Sequence, residues 1–136
     1  MASQLKVDTL TGVTTAGSID VTGEGNSTTT NLQQGLSKVW ANLNGSSFGL
    51  RDNFNVTSAT DNGTGDYTFT IATDMASGDY SLATNAGDNE VAILGCVFLD
   101  SASAPAAGSV RIRGTASNGS ATDHTYVMIQ ITGDLA

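Results

Sequence analysis

The chain has 136 residues, enough for one domain of ordinary size and a short appendage. Only 13% of them are charged, 16 are glycine and one is proline, and serine and threonine recur throughout, which is the vocabulary of short strands and tight turns. Five basic residues against thirteen acidic ones give a formal charge of −8, which argues against a nucleic-acid partner, because phosphate contacts need clustered lysine and arginine.

Residues 1–31 hold few large apolar side chains: Leu5, Val7, Leu10, Val13, Ile19 and Val21 are nearly all of them. Leu5–Leu10 and Ser18–Thr22 each read as a short strand, separated by a turn region at Gly12 and Gly17. Two strands with no surface to lie on are marginal in water. The segment is therefore expected to be an arm whose apolar residues, Leu5, Val7, Leu10, Ile19 and Val21, are buried between chains. Gly23–Thr30 reads as a polar hinge, and Thr30 or Asn31 can cap the next element. Leu32, Leu36 and Val39 or Trp40 recur at helical spacing, predicting a short helix weakened by Gly35. Leu32, Leu36 and Trp40 are expected to belong to the assembly surface and seal the base of the next domain, with Trp40 covering the end of its core.

From Val39 onward the chain reads as strands about ten residues apart: 39–43, 48–56, 67–73, 80–84, 91–99, 110–116 and 126–132. The clearest is introduced by the turn cluster Asp61–Asp66, after which Tyr67, Phe69 and Ile71 alternate with Thr68 and Thr70. The count and spacing predict an all-β fold, an antiparallel, jelly-roll-like β-sandwich preceded by an extended N-terminal arm and one short helix. The domain bounds are then 1–31 for the arm and 32–136 for helix and sandwich. The run Val91–Leu99 is apolar on both faces and is expected to be central, whereas Val110–Arg113 alternates and is expected near an edge, with Arg111 and Arg113 solvated. Cys96 is the one cysteine, so no internal disulfide can form, and its apolar setting predicts a buried thiol.

No catalytic constellation emerges. The lone His124 has Asp123 beside it, but neighbours in a strand face opposite ways, and as the only histidine it could hold a metal only by meeting its own copies around a threefold axis. Asp61, Asp66, Asp74, Asp79, Asp88 and Glu90 fall in loops without an EF-hand framework, so they are expected to be solvated. The glycines match no nucleotide-binding pattern, and no cofactor is expected. No apolar run approaches the roughly 18 residues of a spanning helix, and no signal-peptide pattern opens the chain, so membrane insertion is not expected. The small-residue loops Asp100–Ser109 and Thr115–Asp123 are candidate recognition surfaces, with Asp100, Ser101, Ser103, Pro105, Asn118, Ser120 and Asp123 as the residues to watch. A carbohydrate-binding module would need exposed aromatics in a groove; with eight aromatic residues, most at alternating positions expected in the core, that reading is disfavoured.

Three stretches carry a resemblance: ASQLKVDTLTG at 2–12, LQQGLSKVWANLNG at 32–45 and RDNFNVTSATDNGTGDYTFTIATDM at 51–75. Together, in this order, they resemble the tail fibre or virion appendage proteins of marine tailed bacteriophages, including those of cyanobacteria, over roughly the first 85 residues. The resemblance implies a non-enzymatic structural protein of a virion, made in an infected bacterium and assembled as a homotrimer. Its arm would hold other virion proteins, and its β domain would face outward toward a host-surface glycan or protein. Such fibres often have long shafts, whereas this chain shows neither a repeat array nor heptads, so a capsid decoration or cement protein is the alternative use of the same parts.

Overall fold

The computed structural model describes residues 4–12, 19–23, 28–88 and 95–136. Val13, the turn expected at Gly17, Ser18, residues 24–27 of the 23–30 hinge, Glu90 and the start of the expected 91–99 strand lie outside the described residues. The chain divides into two compact units, Met1–Leu36 and Ser37–Ala136.

In the first unit β1 (Asp20–Thr22) pairs antiparallel with β2 (Thr29–Asn31), and one helical turn, α1 (Leu32–Gly35), comes next. Asn31 caps that turn by accepting the Gln34 amide proton at 3.1 Å. Residues 5–10 were expected to be a strand but form none; without a partner ladder their alternation has nothing to pair with. The helix also stops earlier than the spacing of Leu32, Leu36 and Trp40 predicts. From Ser37 the chain is already a strand, because Val39, Ala41 and Leu43 at period two find a core, which Leu36 at helical period does not.

The second unit is all-β. Among the described residues eight strands, β3 (Ser37–Asn44), β4 (Gly49–Phe54), β5 (Val56–Gly63), β6 (Asp66–Ile71), β7 (Ser81–Gly87), β8 (Cys96–Leu99), β9 (Ser109–Thr115) and β10 (Tyr126–Thr132), form two four-stranded sheets. Their orders are β4-β3-β10-β7 and β5-β6-β9-β8, with every pairing antiparallel. The sandwich is built from these two sheets. Val39, Ala41, Leu43, Val127, Ile129 and Ile131 face inward from the first, and Val56, Tyr67, Phe69, Ile71, Val97, Val110 and Ile112 from the second. This core belongs to residues 37–136 alone.

The chain passes from the first sheet to the second at Asn55, which takes a left-handed φ of 59° that asparagine tolerates better than most side chains. Its side-chain amide donates to the Lys38 and Thr73 carbonyls, and its Oδ1 accepts from the Thr73 amide. What reads in sequence as a single strand over 48–56 is thus two strands around a corner, and much of the expected turn cluster is β5. That strand was hidden because it is an edge strand with only Val56 and Ala59 turned to the core.

Strand order also corrects two expectations. β9, with its alternating arginines, lies between β6 and β8, whereas β8 is an edge. Alternation reports which face is buried and carries no information about neighbours. We expect Phe69→Ala, which empties a fully buried position, to cost about 3–5 kcal/mol in urea unfolding; a loss below about 1 kcal/mol would contradict a shared core between the sheets.

Candidate functional site

The sandwich has two ends. The proximal end holds Ser37, where β3 begins, the 72–80 and 100–108 loops, and residues 133–136, tied together by Met75 N–H to Ala107 O and Ala76 N–H to Asp134 O, both 2.9 Å. Tyr80 is half-buried there, and burial pushes its phenol up to about 12. The distal end holds the 45–48 turn, the 64–65 turn and the 116–125 loop. The two candidate recognition loops therefore sit at opposite ends.

At the distal end Asp123 Oδ1 accepts from the Tyr67 hydroxyl and from the Gly65 amide, each at 2.6 Å. Burial, and then this carboxylate, push the Tyr67 phenol well above its usual range. Gly65, at φ 66°, has no room for a side chain, since a Cβ would lie 2.4 Å from the Gly114 oxygen. His124 is 1% exposed. Its Nδ1 is 2.6 Å from Asp88 Oδ2 and its Nε2 3.2 Å from the Thr115 carbonyl. A carbonyl can only accept, and Asp88 Oδ1 also accepts the Thr125 amide at 2.8 Å. Both ring nitrogens therefore face acceptors of the same chain. With both nitrogens engaged inside its own chain, His124 is open neither to a substrate nor to copies around an axis. Asp123 is likewise a loop anchor, which leaves Asn118 and Ser120 as the exposed ones among the three residues expected to recognise a partner in this loop.

Asp100, the other acidic residue expected at a recognition loop, is buried as well. On the outer face of the second sheet Arg111 grips Asp66 through two bonds, Nε to Oδ1 at 2.7 Å and Nη2 to Oδ2 at 2.6 Å. Arg113 Nη2 adds a contact to Asp66 at 3.2 Å, and both arginines lie 3.4 Å from Asp100. The arginines expected to be simply solvated thus neutralise two buried carboxylates. Arg111 holds the Asp66 carboxyl below its ordinary value, against the opposing push of burial. In the 100–109 loop Ser101 is exposed, whereas Ser103 and Pro105 are half-buried. Cys96, expected to be buried, is exposed on this same face, with its sulfur 3.5 Å from Thr115 Oγ1.

The outer face of the first sheet is different in kind. Register places Phe54, Trp40, Gln130 and Ala83 in one row across β4, β3, β10 and β7, and Asp52, Asn42, Met128 and Asn85 in the next. Trp40 was expected to cover the core end; because Val39 and Ala41 point inward, it must point outward, and it is 38% exposed beside Phe54 at 53%. A shallow groove of about 340 Å³ runs between Trp40, Met128 and Ala83, lined mainly by apolar atoms. Arg51 lies 4.2 Å over the Tyr126 ring at the margin and donates to Asn42 Oδ1 and the Leu43 and Thr125 carbonyls. Five of the eight aromatic residues, Trp40, Phe48, Phe54, Phe98 and Tyr126, are exposed rather than in the core. Only the alternation of Val39, Trp40 and Ala41 could have revealed this face beforehand.

In the arm, Leu5, Val7, Leu10, Val21 and Leu36 are exposed, and Ile19 and Leu32 are half-buried. Among the described residues no three histidine, cysteine or acidic side chains are grouped to hold a metal, and no helix is long and apolar enough to cross a membrane. Comparison with family models, with curated proteins and with solved structures gives no match.

Asp88, like Asp66, is held below its ordinary value of 3.8: burial pushes it up, and the Thr125 amide and hydroxyl and His124 together pull it further down. Above 3.8 both carboxylates are charged in folded and unfolded chains, and their stabilisation is fully present. As pH falls through the depressed folded values, protons bind the unfolded chain first and that stabilisation disappears. Melting temperature is therefore expected to drop on acidification below 3.8. Asp88→Asn is expected to lose about 2 kcal/mol at neutral pH and part of the acid slope; an unchanged slope in calorimetry would remove Asp88 from the account.

Proposed function

We propose that this chain is a non-enzymatic structural protein of a bacteriophage particle, a trimeric tail fibre or short fibre-like appendage held through its N-terminal arm. The observation that carries the reading is the contrast between the two units. Residues 37–136 enclose their own core, whereas the arm exposes Leu5 at 81%, Leu10 at 56% and Val21 at 52% and can bury them only against something else. The resemblance of residues 2–12, 32–45 and 51–75 to phage appendage proteins supplies the setting. Function in this reading is attachment by shape and by many copies, in which weak single contacts sum to firm binding. The 116–125 loop, at the end away from Ser37, is the better placed of the two loops for a host glycan or protein, with Asn118 and Ser120 exposed there.

The test compares particles assembled with the full chain and with a chain lacking residues 1–36, which retains the entire sandwich core. The shortened chain is expected to stay folded but to fall at least about tenfold in particles, as the loss of a multivalent tether demands. Equal incorporation would refute attachment through the arm. Antibody labelling on the same particles separates sites: label at the tail fits the appendage, and label over the head makes the protein a capsid decoration instead.

A further inference from the structure

We infer that the outer face of the β4-β3-β10-β7 sheet, centred on Trp40 and Met128, is where a second copy of this chain docks. The inference rests on the proposal that the protein works as assembled copies, and it assigns the surface. Two properties single out this face.

The first is charge. A partner that is another copy brings its own −8, and like charges brought across an interface are costly, so copies meet most readily where charge is sparse or balanced. Of the eight side chains that register places in the two central rows, Asp52 on the edge strand β4 is the only charged one, and Arg51 stands next to it in the chain. One acid and one base at the margin can pair with the same two on another copy. By contrast, the outer face of the other sheet carries Arg111, Arg113, Asp66 and Asp100.

The second is composition. Trp40, Phe54 and Met128 on a charge-poor surface have the make-up of an interface core, in which aromatic residues and methionine are enriched and charged residues depleted. The indole is the kind of anchor on which binding energy concentrates. The groove is lined mainly by apolar atoms, and the Asn42 amide oxygen is already taken by Arg51, which suits another protein surface better than the hydroxyls of a sugar.

The experiment uses the full chain, its mass read by light scattering and its single tryptophan by fluorescence across a dilution series. The intact chain is expected to scatter as a multiple of 13.8 kDa and to shift its emission to the red as dilution frees Trp40. Ala83→Glu and the near-isosteric Gln130→Glu place a charge on this face at exposed positions and are expected to give 13.8 kDa, with far-UV circular dichroism unchanged. Thr57→Glu, exposed on β5 of the other sheet, adds the same charge and is expected to keep the assembled mass. An assembled mass unchanged in both face variants overturns the inference. If removal of residues 1–36 then yields monomers, copies meet through the arm, and the virion reading survives without this surface. A monomeric intact chain with concentration-independent emission also overturns it. So does a monomer whose Trp40 emission responds to a neutral oligosaccharide, which would give the face to a sugar.

Discussion

The sandwich depends on one crossing. β9 is flanked on both sides in the second sheet, β10 is flanked on both sides in the first, and residues 116–125 carry the chain from one to the other. A crossing between sheets must leave one ladder and enter another, so its backbone groups need other partners. Here the Thr122 amide donates to Gly114 O, the His124 carbonyl accepts the Gly45 amide and Asp88 accepts the Thr125 amide. The Asp123 carboxylate ties the crossing to the Gly65 amide and the Tyr67 hydroxyl, and Asp88 also holds the His124 ring. His124 in turn reaches the Thr115 carbonyl at the end of β9. The most acidic-looking, histidine-bearing corner of the chain is therefore its clasp. A side chain that looks reactive in the sequence is occupied in holding two central strands at the right distance.

Glycine makes that clasp possible. Added Cβ atoms at Gly45 and Gly95 would run into Tyr67, His124 and neighbouring backbone, so these positions let the polar groups approach from several elements at once. Among the described residues no buried side-chain nitrogen or oxygen lacks a partner. A buried polar network stabilises only when each member is satisfied, and this one is.

Much of the fold was legible because period two is a local signal. Tyr67, Phe69 and Ile71, or Val127, Ile129 and Ile131, announce both a strand and its inward face. Sheet order is a long-range property, and there the sequence misleads: the strand with two arginines is central, because Asp66 and Asp100, distant in the chain, come to neutralise them. The short apolar strand bearing Cys96 and Phe98 lies at an edge, with both side chains outside. β5 was illegible for a related reason. An edge strand with one solvated face needs little apolar content, so threonine, serine and aspartate serve, and they read as turn. Asp100 and Asp123 were misjudged as recognition residues because loop position predicts exposure, whereas a carboxylate near unpaired amides and guanidinium groups is drawn inward.

The two outer faces explain why burial alone does not locate function in this molecule. Both sheets supply an inner face to the same core, so each is equally entitled to a polar exterior facing water. The second sheet keeps its charges internally paired and exposes Cys96 and Phe98 only at its β8 edge. The first sets an indole, a phenyl ring and a thioether where serine or lysine would suffice for solubility. Exposed apolar area on that scale does nothing for the isolated fold and carries a risk of nonspecific association. The exposed leucines and valines of the arm carry the same risk. In a protein with a net charge of −8, the neutral rows of the first sheet and the exposed apolar side chains of the arm are where repulsion between like-charged surfaces is weakest.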